Sequence, residues 1–299
     1  MKKIAFILFA IITIAGMQSC QSTKTATGAK MLKFNLEKGK GYDYEMIMNF
    51  DQNMEGQVMQ MDMNTYYSMD VTADDGTNKI ITTTYDRFKM NMKVGTMNID
   101  VDTDNLLPEK DGMNGKDPLK MLNNVFGAIK GKKFVMKVNA EGRVEEVSGI
   151  KEMTQSIVDS MGLDEKIKQQ MTQQFSQQFN EQNIKEQFER FLYIFPNKEV
   201  KLGDSWQKTT TPGGAMGGKY ISTYTVSEIE GDMVTVEEKS KIDGTSASMN
   251  MKGDITGTLV IDSKSGLVVN ADQDMALTMS TSGKEIKIKG KSKIKGKAR

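Results

Sequence analysis

The chain has 299 residues, 40 Lys and Arg against 39 Asp and Glu for a formal charge of +1, no histidine and one cysteine. Such a balance lacks the basic excess of a nucleic-acid binder, and the missing histidines exclude Ser-His-Asp and Cys-His catalysis, histidine zinc sites and histidine proton shuttles. The length suits one large domain or two small ones, with a core that needs no disulfides.

The N-terminus reads as an export signal. Lys2 and Lys3 form a positive start, Ile4 to Ala15 is almost unbroken apolar sequence, and Gly16-Met17-Gln18-Ser19 leads into Cys20. An apolar run of about a dozen residues is too short to span a bilayer, which takes about twenty. No later stretch is long and apolar enough to do so. Cys20 is the only cysteine, so no intrachain disulfide explains it. The segment MQSC resembles the relaxed lipobox of Bacteroidota lipoproteins, with Met17 where Leu is commoner, and makes Cys20 the expected lipidation site. The expected layout is a signal peptide over residues 1–19, a lipid anchor and flexible tether over 20–34, and a β-rich lipoprotein domain over 35–299 with a helical segment at about 150–195. Loss of Lys2 and Lys3 takes the formal charge to −1. The expected partner is the membrane, through acyl chains whose buried CH₂ groups each contribute about 0.8 kcal/mol. Gln21 to Lys24 lacks the acidic residues of a surface-export signal, which favours a cell-envelope location on the outer membrane, facing the periplasm.

Beyond the tether, Tyr42, Tyr44, Met46, Met48 and Phe50 recur at period two. Met59 to Val71, Phe88 to Val94 and Met97 to Val101 repeat the pattern, which predicts antiparallel strands with one buried face. Asp74-Asp75-Gly76 has hairpin-turn chemistry. Pro118 to Ile129 reads as a short helix, Phe134, Met136 and Val138 as a strand, and Asn139 to Gly142 as a turn. Ile150, Met153, Ile157 and Met161 then follow helical spacing, with Gly162 as the stop. A longer helix is expected from Asp164 to about Phe195, its apolar stripe including Phe175, Ile184, Phe188 and Phe191 and its end set by Pro196. From Trp206 onward alternation returns, as in Tyr220 to Val226 and Met275 to Met279, with turns at Gly231-Asp232 and Ser265-Gly266. Strands, helices, strands indicate an α+β fold: a large antiparallel β-sheet or a pair of sheets, flat or curved, with a central helical segment packed on one side.

The GYDYEM strand, the FVMKVNAEGRVEEVSG segment before the helices and the LGDSW segment after them resemble a family of uncharacterised Bacteroidota lipoproteins, the domain of unknown function numbered 6263. The resemblance covers most of the mature chain and supplies no catalytic residue. The element order is similar, more loosely, to lipoprotein carriers that cradle acyl chains.

Several motifs invite chemistry. Gly213 to Lys219 has the spacing of a phosphate-binding loop, but Tyr220 stands where Ser or Thr should hold magnesium and a strand follows where a helix is required, so a connector is expected. Asp100, Asp102, Asp104 and Asp111 hint at a calcium loop, yet Asn105 replaces the turn glycine and no helices flank it, so they read as a solvated strand end. Met-x-Met recurs at 46/48, 59/61, 61/63, 90/92 and 249/251. Thioethers bind Cu(I), but with no histidine or free cysteine these residues are expected to fill the sheet core, either as plain packing or in a core shaped to accept a ligand. The lysine-alternating C-terminus reads as a charged edge strand, or else as a contact for anionic lipid headgroups. The expectation overall is an envelope lipoprotein without cofactor or metal, a non-enzymatic binding module for an apolar ligand or an envelope protein. The alternatives are a carboxylate-dependent hydrolase and a Met-based Cu(I)-binding protein.

Overall fold

A computed structural model describes residues 28–299 apart from 55–56, 107–117, 161–163, 212–217, 246–249 and 282–283. The signal segment, Cys20, Asp111, Gly162 and most of the phosphate-loop-like stretch lie outside the described residues. The elements are β1 (Lys30–Leu32), β2 (Gly41–Met54), β3 (Gln57–Asp74), β4 (Asn78–Val94), β5 (Met97–Asp102), α1 (Pro118–Ile129), β6 (Lys133–Asn139) and β7 (Val144–Ser148). Then come α2 (Ile150–Ser160), α3 (Glu165–Gln178), α4 (Glu181–Leu192), β8 (Lys198–Val200), β9 (Ser205–Thr210), β10 (Lys219–Glu230), β11 (Met233–Thr245), β12 (Asn250–Asp262), β13 (Leu267–Thr281) and β14 (Lys284–Ala298). The fold is α+β, as the element order predicts.

The two strand-rich segments form one open antiparallel sheet of 12 strands, ordered β7-β6-β4-β3-β2-β14-β13-β12-β11-β10-β9, with β5 added beside β4. β1 and β8 make a separate pair. The seam between the two halves is β14 against β2, in register from Ala298↔Tyr42 to Lys287↔Asn53. This corrects the edge-strand expectation for the C-terminus, since β14 is central and paired on both sides. Its lysines from Lys287 to Lys297 lie on the outer face, where neighbouring strands present acids. Lys295 meets Glu45 at 2.9 Å, Lys293 meets Asp272 at 2.9 Å and Lys291 meets Asp274 at 3.4 Å. Alternation marked the lysines as solvent-facing; the acids that allow them in mid-sheet come from strands distant in sequence.

The inner face carries the core. In the rows nearest the helices almost every apolar position is buried, including Tyr44, Met46, Tyr67, Met69, Ile81, Phe134, Val236, Leu259 and Ile294. Odd positions 81, 83 and 85 of β4 face inward, but so do even positions from Phe88 on. A bulge at Asp86, between Tyr67↔Tyr85 and Tyr66↔Arg87, makes the switch. The packed body also begins before residue 35: Leu32 and Phe34 are core residues, at 0% and 3% exposure.

The long helix expected from Asp164 to Phe195 is two helices. Asn180 adopts an extended conformation and its side chain accepts from the Asn183 N–H, capping α4, while Asp164 caps α3 in the same way. The break lets Ile184, Phe188 and Phe191 of α4 face the sheet. Phe188 meets Tyr67 and Phe134 edge-on, with centroids 5.7 and 5.5 Å apart, and Phe191 packs on Tyr44 at 5.8 Å. Burial raises the Tyr67 phenol to about 12 against the lowering effect of its bond from Gln187. At the β6–β7 turn Gly142 has φ +87° and so approaches α4 that a Cβ would lie 1.9 Å from the Leu192 carbonyl oxygen.

Asp102 and Asp104 do not assemble a cation loop. The Arg87 guanidinium grips Asp102 at 2.7 and 3.0 Å and Asp104 at 2.9 Å, and Lys130 meets Asp104 at 2.7 Å. Hydrogen bonding to Arg87 holds the Asp102 carboxyl well below the ordinary range.

Two outcomes test this packing. Phe188→Ala removes the ring at the centre of the aromatic cluster and should destabilise the fold by about 3–5 kcal/mol in chemical denaturation. The depressed Asp102 carboxyl contributes stability above its unfolded value near 4, and that contribution is lost as pH falls below it. Asp102→Asn should therefore melt lower at neutral pH and show a flatter acid limb than wild type.

Candidate functional site

Paired residues in an antiparallel sheet share a face, so the registers can be read across the sheet as rows. Just beyond the packed core, Glu238, Gly257, Gln273, Ser292, Met48, Met63 and Met90 stand side by side from β11 to β4. The next row holds Ser240, Ile255, Met275, Gly290, Phe50, Met61 and Met92, and the one after it Ile242, Gly253, Leu277, Ile288, Gln52 and Met59. Met59, Met61 and Met63 thus share the inner face, as their spacing predicts.

These rows differ from the core in their cover. Met48, Phe50, Met61, Met63, Met92, Met275, Leu277 and Ile288 are only partly buried, whereas the apolar residues of the rows beneath are almost all sealed by the helices. The result is a partly exposed apolar surface on the inner side of the sheet, bounded on either side by a more deeply buried cluster and termed the trough below. On its β4–β5 side Phe126 of α1 stacks on Phe88 at 4.1 Å, and Met90, Ile99 and Val101 form a small buried cluster. On its β10–β12 side Tyr220, Ile242, Met251 and Ile255 form another, with Met275, Leu277 and Met279 against it.

Two glycines shape the trough floor. At Gly290 a Cβ would stand 2.7 Å from the Phe50 ring, which leans across β14. At Gly257 a Cβ would stand 2.8 Å from the Gln273 Cγ. Because β12 carries no side chain there, Gln273 of β13 reaches over it and donates from Nε2 to Glu238 Oε2 of β11 at 2.5 Å. Ser240 Oγ donates to Glu238 Oε1 at 2.6 Å, and the Ser222 hydroxyl lies 2.6 Å from that of Ser240. Tyr224, beside Glu238 in register, has its phenol driven up by burial and by that carboxylate. Sequence reasoning missed this polar group. Its signal is present in Val234, Val236, Glu238, Ser240 and Ile242, where alternation sets a glutamate and a serine at inward positions.

The outer face is polar and carries an open concavity of about 550 Å³, lined in part by Asp51, Asp62, Asp254, Asp274, Lys93 and Lys289. Asn49 donates to Asp62 at 2.6 Å, Gln60 to Asp51 at 3.2 Å, and Lys291 pairs with Asp274. Interleaved opposite charges and amides make a hydrated surface. On α4, burial raises the Glu189 carboxyl while Lys185 and Arg143 oppose the shift. Among the described residues, no group of three or more Asp, Glu or Cys is placed to hold a metal ion. Also among them, no helix is long and apolar enough to cross a membrane.

A comparison with curated proteins finds no match. Among solved structures the chain is similar to lipovitellin, from work on lipid-protein interactions in that protein, at 9% identity and a TM-score of 0.48. The alignment covers 89% of this chain and 26% of that one, so this chain spans about a quarter of its length. It is also similar to the translocator domain of the autotransporter NalP from Neisseria meningitidis, at 7% identity and a TM-score of 0.24, over 87% of this chain and 88% of that one. A family model matches residues 76–268, from the β3–β4 turn to the start of β13. The match takes in all four helices, Glu238 and the β11–β12 side of the trough, and the chain belongs to that family of unknown function (DUF6263).

Proposed function

We propose that this chain is a lipid-anchored envelope lipoprotein, without enzymatic activity, whose trough binds an apolar ligand. The observation that carries the reading is the partial exposure of successive apolar rows on the inner face, past the reach of the helices. Leaving Met, Phe, Leu and Ile side chains in contact with water forgoes about 25 cal/mol for each Å² that a ligand would cover. Methionine suits such a surface, because its unbranched and polarizable side chain adapts to irregular aliphatic partners. An envelope protein inserting an apolar segment would use the same face. The anchor is read from the layout of Lys2, Lys3, the apolar run and Cys20, and the outer membrane's periplasmic face from the absence of acids just after Cys20.

The anchor is tested by metabolic labelling with a fatty-acid analogue. Wild type should be labelled and sediment with membranes, and Cys20→Ala should be unlabelled and released; an unlabelled wild type would remove the anchor from the proposal. Proteolysis of intact cells should spare the protein if it faces the periplasm.

The trough is tested with Met59, Met61 and Met63 together. Leu at all three keeps volume and apolarity, and should cost under about 1.5 kcal/mol per site while preserving uptake of an apolar fluorophore. Gln at all three places amides in the trough and should cost about 1 kcal/mol per site, near the low end for buried amides, and abolish that uptake. Neither variant is expected to change Cu(I) titration, since wild type should bind none. Cu(I) uptake by wild type that is lost in the Leu variant would instead assign these thioethers to a metal.

A further inference from the structure

We propose that the polar group at the base of the trough seats the cationic head of an amphiphile, with its aliphatic chain lying along the methionine rows. The proposal rests on the apolar-ligand reading and names the ligand class. Glu238 is 6% exposed and Ser240 3%. The carboxylate is held by Ser240 and Gln273, and both partners are neutral. Two cations stand near this group, Arg190 with its guanidinium 5.4 Å from the Tyr220 ring centroid and Lys208 beside Ser222 in register with its ammonium 4.1 Å from the Tyr193 centroid, and each rests against an aromatic ring and makes no ion pair with Glu238. A charge removed from water without an opposite charge is costly, and a carboxylate has about four acceptor sites, of which these bonds use two.

The direction of the group matters as much as its charge. The Glu238–Gln273 bond spans β12 across the bare Gly257, so the carboxylate points along its row toward β13 and away from the β9 edge. Following that row, Gln273 is partly exposed, Ser292 is 9% exposed, and Met48 and Met63 begin the thioether surface. An alkylammonium head has three donors for the open sites of Glu238 and the oxygens of Gln273 and Ser292. Its tail then has Met275, Phe50 and Met61 in the adjoining row. A fatty acid would set carboxylate against carboxylate, so the site selects by sign as well as by apolarity.

The test is calorimetric titration of the purified mature chain, at neutral pH and below micelle formation, with dodecylammonium, dodecanol and dodecanoate. Wild type should bind dodecylammonium at least about tenfold more tightly than dodecanoate, as a charge-assisted contact set against a repulsive one requires. Glu238→Gln, isosteric and checked by circular dichroism, should bring the charged pair within about twofold of each other and weaken dodecylammonium far more than dodecanol. Gln273→Leu, which removes the amide that holds the carboxylate, should reduce the preference, with dodecanol affected less than dodecylammonium. Equal affinities in wild type, or a preference that survives in folded Glu238→Gln, overturn the head-group site while leaving the apolar trough intact. Failure of wild type to bind any of the three overturns the apolar-ligand reading itself. If Glu238→Gln does not fold, the wild-type ranking and Gln273→Leu decide.

Discussion

The pairing of β2 with β14 is the constraint on which the rest of the molecule depends. It joins strands from opposite ends of the described chain over a continuous antiparallel register. Without it there would be two sheets, each with two edges and a core face of its own. With it there is one broad inner face, and the rows that run from Glu238 to Met90 exist only because they cross this seam. The bond ladder itself is sequence-blind; its specificity comes from the faces. A slip of one residue would turn the lysines of β14 into the core and Ile294 out of it. The acids of β13 and β2 opposite those lysines favour the observed register, although each exposed pair contributes little alone.

Helices and sheet are mismatched in extent, and the trough follows from that mismatch. α4 and the segment after it, with Ile194 and Phe195, seal the rows closest to them. Trp206 fixes this cover to the far side of the sheet by donating from Nε1 to the Ile194 carbonyl oxygen at 2.7 Å, while its ring stacks with Tyr224. β2, β3, β4, β13 and β14 continue past this cover, where most of their inward residues are only partly buried. Their distal halves keep an apolar inner face because alternation continues to the strand ends, and only the small clusters beside Phe126 and Tyr220 shelter part of it.

Much of this was legible from the chain alone. Period-two alternation located the long strands and the inward methionines, Asp74-Asp75-Gly76 and Gly231-Asp232 located turns, and α1 runs from Pro118 to Ile129 as expected. What escaped depended on partners remote in sequence. The central place of β14 needed Glu45 and Asp272 opposite its lysines, and Leu32 and Phe34 became core only through packing with residues near Phe195. The helix break at Asn180 carried a local signal, a good N-cap inside a helical stripe, which the periodicity overrode. The candidate site shows the same division. The apolar face was visible, but the link between Glu238 and Gln273 requires two strands to flank a glycine of a third, and spacing along one strand cannot express that.

The seam has a consequence for the history of the molecule. Its strands meet at a sequence separation close to the length of the folded body, and loop closure over such a distance makes this pairing slow to nucleate. A chain emerging N-terminus first exposes the unpaired side of β2 until nearly all of it has been delivered. Through that interval Met46, Met48 and Phe50 lie beside an open backbone edge, the condition under which one sheet recruits another. The strand that finally covers the edge carries a positive charge at almost every second residue, so before docking it is repelled by copies of itself and drawn to the acids of its proper neighbours. Lysines that contribute little to the finished sheet thus act during assembly, as a guide to correct pairing and a guard against the wrong one.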